Sequence, residues 1–409
     1  MKSFGLLGER LSHSYSPMIH AELGDYAYLL YEKKPEELDS FFSRAGFDGL
    51  NVTIPYKTAV IKYCTELSEA AAQIGSVNTI VKRADGTLYG DNTDYYGFAY
   101  LLRRAGANPA GAKAVILGGG GSSLTARAVL GDAGAREIIT VSRAGPDNYG
   151  NIGRHADAAL IVNTTPVGMY PDNGASPVAD LGLFTNCRHV VDMIYNPLTT
   201  ELMFQARKYG ITCANGLAML VAQAKRAAEL FTHRSVPDDT IETIIKKIER
   251  TVRNIVLIGM PGCGKTTVGA ELARLSGRGF IDTDDEIAKA AGKPVSDIIT
   301  IEGEAVFRKL ETSALSDACK RSGLVIATGG GVVTRPENYR LIKQNGVVVF
   351  LNRDISELPA TNRPLSLTIG TAALAKERLP LYNKWSDHTF TVRGAEQTAH
   401  DIYKHLVSE

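Results

Sequence analysis

At 409 residues, 44% hydrophobic and 22% charged, the chain has the composition of a folded globular protein and the length for two or three domains with full cores. A formal net charge of +1 supplies no field to gather nucleic acid or an anionic membrane surface. The five cysteines are scattered, with neither a CxxC pair nor metal-ligand spacing, which predicts reduced, mostly buried thiols and no structural zinc site.

The chain opens on a strand-like run, Ser3-Phe4-Gly5-Leu6-Leu7, with no signal or transit pattern, and no apolar run reaches the length of a membrane span; a cytoplasmic protein is expected. From Lys2 to Asn92 short apolar runs alternate with helical patterns. Leu38, Phe41, Phe42 and Ala45 recur at helical spacing behind Pro35 and before Gly46. In Asn51-Val52-Thr53-Ile54-Pro55-Tyr56-Lys57 a strand ends at a Pro that stops pairing and presents Lys57 at its tip, where an ammonium can give or take a proton. In Gly90-Asp91-Asn92-Thr93-Asp94 a turn precedes a helix, and Asp94 either pairs with Lys57 or caps that helix.

A second unit begins near Tyr95. A helix to Gly106 leads to the strand Ala114–Leu117, the run Gly118-Gly119-Gly120-Gly121 and a helix from Ser123; strands at Ile138–Val141, Ala159–Val162 and Val190–Ile194 suit a dinucleotide-binding parallel sheet. Gly118, Gly120 and Gly121 fit a pyrophosphate-binding turn, although the full G-x-G-x-x-G is not present. The next strand ends in Ser142-Arg143 rather than an acid; the Arg suits a 2′-phosphate and so NADP, against the plainer reading of a solvated surface cation. Pro146–Gly150 reads as a turn. Helices at Gly216–His233 and Asp238–Arg250 close this half, and Thr251-Val252-Arg253 leads on without the composition of a flexible linker.

The strand-like Asn254–Ile258 is followed by Gly259-Met260-Pro261-Gly262-Cys263-Gly264-Lys265-Thr266-Thr267, a match to the phosphate-cradling loop G-x-x-x-x-G-K-[ST], with a helix predicted from Val268 to Leu275. Its backbone N–H groups and helix N-terminus attract phosphate oxygens, Lys265 can reach the transferred phosphoryl group of ATP, and Thr266 can ligate Mg²⁺. In Phe280-Ile281-Asp282-Thr283-Asp284 strand alternation predicts both carboxylates on one face, one near Mg²⁺ and one near an acceptor hydroxyl; the plainer reading is a helix-starting turn. Arg308 falls on a helix, Gly329-Gly330-Gly331 ends an apolar strand with backbone free to approach a ligand, and Arg363-Pro364 and Arg378 follow.

Leu11–Pro17, the 51–57 segment, Val77-Asn78-Thr79, Asn92-Thr93-Asp94, the glycine turn, Asn163–Met169 and Gly216–Gln223 come in one order, and together residues 1–250 closely resemble shikimate dehydrogenase. The resemblance implies Lys57 and Asp94 as the catalytic pair. Ser14 and Ser16 would hold the substrate carboxylate, and Thr53, Asn78, Asp94 and Gln223 the ring hydroxyls or the reacting oxygen. Tyr195 and Met219 would line the pocket, and Thr165, Gly216 and Met219 would join the glycine turn, Ser142 and Arg143 around NADP(H). It also implies a substrate domain at 1–95, completed by helices in 216–250, and a Rossmann-like NADP domain at 96–215. Two departures stand out: Ser142 replaces the usual Asn before the cofactor Arg, and Arg143–Asn163 is too short for the helix and strand the family often places there.

Residues 253–409 resemble shikimate kinase, which implies a P-loop α/β domain with a parallel sheet. Gly262, Gly264, Lys265, Thr266 and Thr267 would hold the ATP phosphates. Thr266 would bind Mg²⁺, with Asp282 contributing through water. Asp284 would orient or deprotonate the acceptor hydroxyl, Arg308 and Arg378 would grip the shikimate carboxylate, Gly329, Gly330 and Gly331 would pack under the ring, and Arg363 would come from a closing lid. The lid is short here, and weaker closure over ATP is expected.

The expected protein is an α/β fusion that reduces 3-dehydroshikimate to shikimate and then phosphorylates it. Its rivals are a shikimate- or quinate-sensing regulator, which should have lost the reactive groups present here, and an NAD-linked quinate/shikimate dehydrogenase in the first half, which Arg143 disfavours. The sequence leaves the oligomeric state open.

Overall fold

The computed structural model describes residues 2–11, 14–358 and 370–407. The chain divides into two compact units, the first comprising residues up to Tyr195 with Thr200–Lys246, the second Asn196–Thr199 with Lys247 onward.

The first unit holds two sheets. Strands β1 (Ser3–Gly8), β2 (Ala27–Glu32), β3 (Gly49–Val52), β4 (Glu66–Leu67), β5 (Thr79–Lys82) and β6 (Leu88–Asp91) form a mixed sheet in the order β2-β1-β3-β5-β6-β4. Strand β1 is parallel to β2 and β3, whereas β5 runs antiparallel to β3 and β6. The helical pattern behind Pro35 splits into a 3₁₀ turn, Pro35–Glu37, and an α-helix, Leu38–Arg44, whose buried Leu38 and Phe42 join the core beneath β3.

The second sheet is parallel throughout: β7 (Lys113–Leu117), β8 (Glu137–Val141), β9 (Leu160–Asn163), β10 (His189–Asp192) and β11 (Thr212–Ala214), in the order β11-β10-β9-β7-β8. All five residues of β7 are buried, as expected of a central strand covered on both faces. The connection from β8 to β9 contains a turn and the 3₁₀ segment Ile152–His155, with no α-helix and no further strand, which accounts for the shortness of Arg143–Asn163. The order in which strands are laid down reverses at β7, with β8 on one side and β9 on the other. The loops after β7 and β9 therefore flank the crevice where such sheets receive ligands.

The helices Thr93–Arg104 and Leu217–Thr232 cross closely at Gly97, where a Cβ would lie 2.6 Å from the Met219 carbonyl oxygen. This crossing seats Gln223 beside Asn78 and Thr93.

The second unit is built on β12 (Asn254–Ile258), β13 (Gly279–Asp282), β14 (Leu324–Ala327), β15 (Gly346–Asn352) and β16 (His388–Thr391), parallel and ordered β13-β14-β12-β15-β16. Apolar residues of β12, β14 and β15 make one core with Leu272, Leu315, Tyr382 and Trp385. The loop after the central strand β12 thus opens at the carboxyl edge of the sheet, and its helix, Lys265–Ser276, starts three residues earlier than the sequence suggests. Among the described residues no helix is long and apolar enough to cross a membrane.

Alanine ordinarily strengthens a helix interior by about 0.5–1 kcal/mol over glycine. At Gly97 the clash outweighs that gain, so Gly97→Ala is expected to destabilise the first unit by a net ~1–3 kcal/mol, read as a lower urea midpoint; an unchanged or higher midpoint would contradict the close crossing.

Candidate active sites

In the first unit the strand β3 stops at Val52, and the turn beyond it carries Lys57, whose carbonyl accepts from Val77 N at 2.8 Å. Asp94 stands in the first turn of Thr93–Arg104, where the preceding Asn92 makes no side-chain cap. The two meet: Lys57 Nζ donates to Asp94 Oδ2 at 2.6 Å, with both side chains partly open to solvent. Of the two readings of Asp94, pairing holds.

Behind this pair lies a buried polar cluster. Asn78 Oδ1 accepts from Thr93 N at 2.7 Å, Asn78 Nδ2 reaches Gln223 Oε1 at 3.5 Å, and Thr93 Oγ1 donates to the same oxygen at 3.3 Å. Ser14 Oγ accepts from Ser16 N at 3.2 Å, Thr53 N donates to Leu7 O at 2.9 Å, and the Tyr15 and Tyr195 rings pack at 5.4 Å. Burial raises the Tyr195 hydroxyl above its ordinary range, which keeps it a neutral donor. Ser12 and His13 of the Leu11–Pro17 motif lie outside the described residues.

The glycine turn follows β7. Gly118 has φ 105, and a Cβ there would stand 2.8 Å from Thr165 Cγ2, so the turn and the loop after β9 touch. A Cβ on Gly119 would lie 3.3 Å from Ser142 Cβ, whereas Gly120 and Gly121 face open space. Arg143 is exposed in the turn after β8, close enough to Tyr149 for its charge to oppose the rise that burial imposes on that hydroxyl. Met219 is half-buried, and Gly216 N donates to Ile194 O at 2.9 Å.

The second unit gathers its predicted groups around one cavity of about 680 Å³, lined by Gly262, Gly264, Lys265, Thr266, Thr267, Asp282, Asp284, Arg308, Gly329, Gly330, Gly331 and Arg378. Lys265 Nζ donates to Gly259 O at 2.9 Å and Met260 O at 3.0 Å, folding back over its own loop. Thr266 Oγ1 donates to Asp282 Oδ2 at 2.7 Å. The acidic pair differs from the strand alternation expected: β13 ends at Asp282, whose Oδ1 accepts from Asp284 N at 3.0 Å and caps the helix Thr283–Ala291, placing Asp284 in its first turn. The plainer helix-starting turn is therefore present, and both carboxylates still reach the cavity. Burial, then Asp282 and Glu311, push the Asp284 carboxyl up to about 6, against the pull of Lys265 and Arg308.

Arg308 is clamped by two acids on its own helix. Nη1 donates to Glu311 Oε2 at 2.8 Å, and Nη2 to Glu304 Oε1 at 2.8 Å. A Cβ on Gly331 would fall 2.1 Å from this guanidinium, so a larger residue there would displace Arg308 from its present place. The Tyr382 hydroxyl donates to Gly330 O. Three buried polar atoms, Asp284 Oδ1, Glu311 Oε1 and Arg378 Nε, have no protein partner. Arg363 lies outside the described residues. Sequence reasoning passed over Glu311, fully buried, whose signal was its i, i+3 spacing from Arg308, and Arg353, which lines the same cavity at the end of β15.

Residues 6–80 match the family model for the shikimate dehydrogenase substrate-binding domain, and residues 261–408 match that for shikimate kinase. The NADP(+) shikimate dehydrogenase of Symbiobacterium thermophilum is 37% identical over 270 residues, which cover 58% of this chain and 92% of the relative.

The chain belongs to the shikimate dehydrogenase family. It also carries a shikimate kinase domain.

The NADP(+) shikimate dehydrogenase of Methanopyrus kandleri is likewise 37% identical, over 59% of this chain and 93% of its own length. Among solved structures, a chorismate mutase/shikimate 5-dehydrogenase fusion from Clostridium acetobutylicum aligns with a TM-score of 0.58 and 34% identity, covering 61% of this chain and 97% of that one. The Thermus thermophilus shikimate 5-dehydrogenase, solved with NADP(H) and shikimate, aligns with a TM-score of 0.55 and 30% identity, over 60% and 99%. These relatives span the dehydrogenase portion alone; the chain is an enzyme with a dehydrogenase and a kinase portion.

Because the folded Asp284 carboxyl, at about 6, lies above its ordinary 3.8, the folded unit binds this proton more tightly than the unfolded chain does. Its stabilising contribution is full below the ordinary value and is lost as pH rises through the folded one. Asp284→Asn is therefore expected to stabilise the second unit at neutral pH by roughly 1–3 kcal/mol, an advantage that disappears in acid below the ordinary value. Urea denaturation of both proteins at the two pH values measures it; no gain at neutral pH would contradict the strained carboxylate.

Proposed function

We propose that the chain catalyses two consecutive reactions, the NADPH-dependent reduction of 3-dehydroshikimate to shikimate and the ATP-dependent phosphorylation of shikimate to shikimate 3-phosphate. The observation that carries this reading is that both reactive sets are intact in one chain: Lys57 is 2.6 Å from Asp94, and Asp284 shares a cavity with Lys265. A sensor built from spent enzyme domains would have no need of either.

In the first reaction residues 1–95 with the helices of 216–250 hold the substrate, and residues 96–215 hold NADP(H). The open backbone at Gly120 and Gly121 fits a pyrophosphate, and Arg143 fits a 2′-phosphate. Bound NADPH supplies the hydride. Ser14 and Ser16 take the substrate carboxylate, and Thr53, Asn78 and Gln223 fix the ring hydroxyls, with Tyr195 and Met219 closing the pocket. Asp94 orients the Lys57 ammonium towards the reacting oxygen, and Lys57 donates the proton that turns the new alkoxide into an alcohol, a contribution of about 10²–10⁴-fold.

In the second reaction Gly262, Gly264, Lys265, Thr266 and Thr267 hold ATP phosphates; Lys265 Nζ exchanges its two carbonyl acceptors for phosphate oxygens. Thr266 Oγ1 and Asp282 Oδ2, close together at the cavity wall, are the hard oxygen donors that suit Mg²⁺, with Asp282 acting through water. The metal would offset phosphate charge. Asp284, whose raised value keeps it basic enough to accept a proton near neutral pH, takes the proton of the shikimate hydroxyl as that oxygen bonds the γ-phosphorus and ADP leaves. Arg308 and Arg378 hold the carboxylate over Gly329–Gly331, and the unpartnered Arg378 Nε leaves a donor for an anion. By the resemblance to shikimate kinase, Arg363, outside the described residues, would neutralise charge in the transition state. The substrates are small molecules, and the protein acts in the cytoplasm.

Crossed substitutions test the division of labour. Lys57→Ala is expected to lower NADPH oxidation by about 10²–10⁴-fold and spare phosphorylation of added shikimate, while Lys265→Ala does the reverse. Loss of both activities in either folded variant would contradict two separate sites.

A further inference from the structure

Asp192, at the end of β10, is an acid the reaction scheme leaves unused, yet it is fully buried and makes three hydrogen bonds. Its Oδ1 accepts from Asn163 Nδ2 at 2.9 Å and from Ile194 N at 3.0 Å, and its Oδ2 accepts from Thr200 Oγ1 at 2.7 Å. Burial pushes the carboxyl up to about 6, and the three donors hold it down against that pressure. No cation forms an ion pair with it among the described residues; three hydrogen bonds alone answer the charge, and each fixes the carboxylate's position.

Two of these bonds lead to the dehydrogenase site and the third to a neighbouring helix cap. With its Nδ2 committed to Asp192, Asn163 must turn Oδ1 the other way, where it accepts from Thr165 N at 3.0 Å and Thr165 Oγ1 at 2.7 Å. Thr165 is the residue that packs on Gly118 of the glycine turn. The Ile194 bond fixes the backbone next to Tyr195 and opposite Gly216, where a Cβ would fall 2.0 Å from Met193 O. The Thr200 bond ties in the residue that caps the helix Glu201–Lys208.

We propose that Asp192 is a positioning residue for the dinucleotide: by fixing the orientation of the Asn163 amide it holds Thr165 against the glycine turn and so sets the affinity for NADPH. An amide that loses its acceptor is free to rotate, and Thr165 then loses both of its bonds to Oδ1. The inference rests on the reading of the glycine turn as an NADP site. A wild-type chain that binds no NADPH would sink that reading, and the variants below are judged only against a wild type that binds.

The test is direct titration of the full chain with NADPH, followed by the cofactor's fluorescence without substrate, together with steady-state reduction of 3-dehydroshikimate. Asp192→Ala is expected to raise the NADPH Kd at least tenfold, with kcat at saturating NADPH changed less than threefold. Asn163→Ala, which cuts the relay while leaving Asp192 two of its donors, should match it, and carries the same test if Asp192→Ala does not fold. Asp192→Asn should restore most of the affinity, because its oxygen still accepts from Asn163 and Ile194 while its amide donates to a turned Thr200 hydroxyl. A wild-type Kd in Asn163→Ala, or a Kd in Asp192→Asn as weak as in Asp192→Ala, would overturn the relay.

Discussion

A charge withdrawn from water has to be answered by an opposite charge or by hydrogen bonds, and both sites are arranged around that requirement. Lys57 and Asp94 answer each other at 2.6 Å. Arg308 is met by Glu304 and Glu311, both on its own helix, so the guanidinium is rigidly placed before any substrate arrives. Asp192 is answered by three neutral donors and Asp284 by fewer; burial lifts both carboxyls to about 6, and at Asp284 the neighbouring Asp282 and Glu311 add to that push.

The carboxyl edges of parallel sheets supply the second constraint. Successive strands end together there, and loops after neighbouring strands are brought within reach although far apart in sequence. Gly118 meets Thr165 by this route in the first unit, and Lys265 comes to line one cavity with Asp282 and Gly329 in the second. Glycine is needed at Gly97, where two helices cross with backbone as the neighbour, and Gly331 leaves room for the Arg308 guanidinium.

Features written locally were legible in the sequence. The phosphate loop is one, because a strand, a glycine-rich turn and a helix start are all encoded within fifteen or so consecutive residues. The short Arg143–Asn163 span is another, since too few residues remain to make the missing elements. The Asp282–Asp284 pair was half legible. Strand alternation is a valid rule until a side chain competes for the backbone, and Asp282 ends the strand by accepting from Asp284 N. Glu311 carried only its i, i+3 spacing from Arg308, and Asp192 carried no signal at all. An acid is normally read as solvated, and only the fold shows that three donors from β9, the turn after β10 and a helix cap converge on one carboxylate. Arg363 and its lid remain a matter of sequence alone.

The two portions share a metabolite in the proposed scheme, the alcohol made by the first being the acceptor for the second, and this joint turnover is the most direct thing to measure. The full chain is supplied with 3-dehydroshikimate, NADPH, ATP and Mg²⁺, and NADPH absorbance is followed beside phosphorus NMR of the products. Shikimate 3-phosphate accumulating with one NADPH oxidised and one ADP formed per molecule is the predicted result. NADPH oxidation without any phosphorylated product, even when shikimate is added, or no NADPH oxidation at all, would contradict the account.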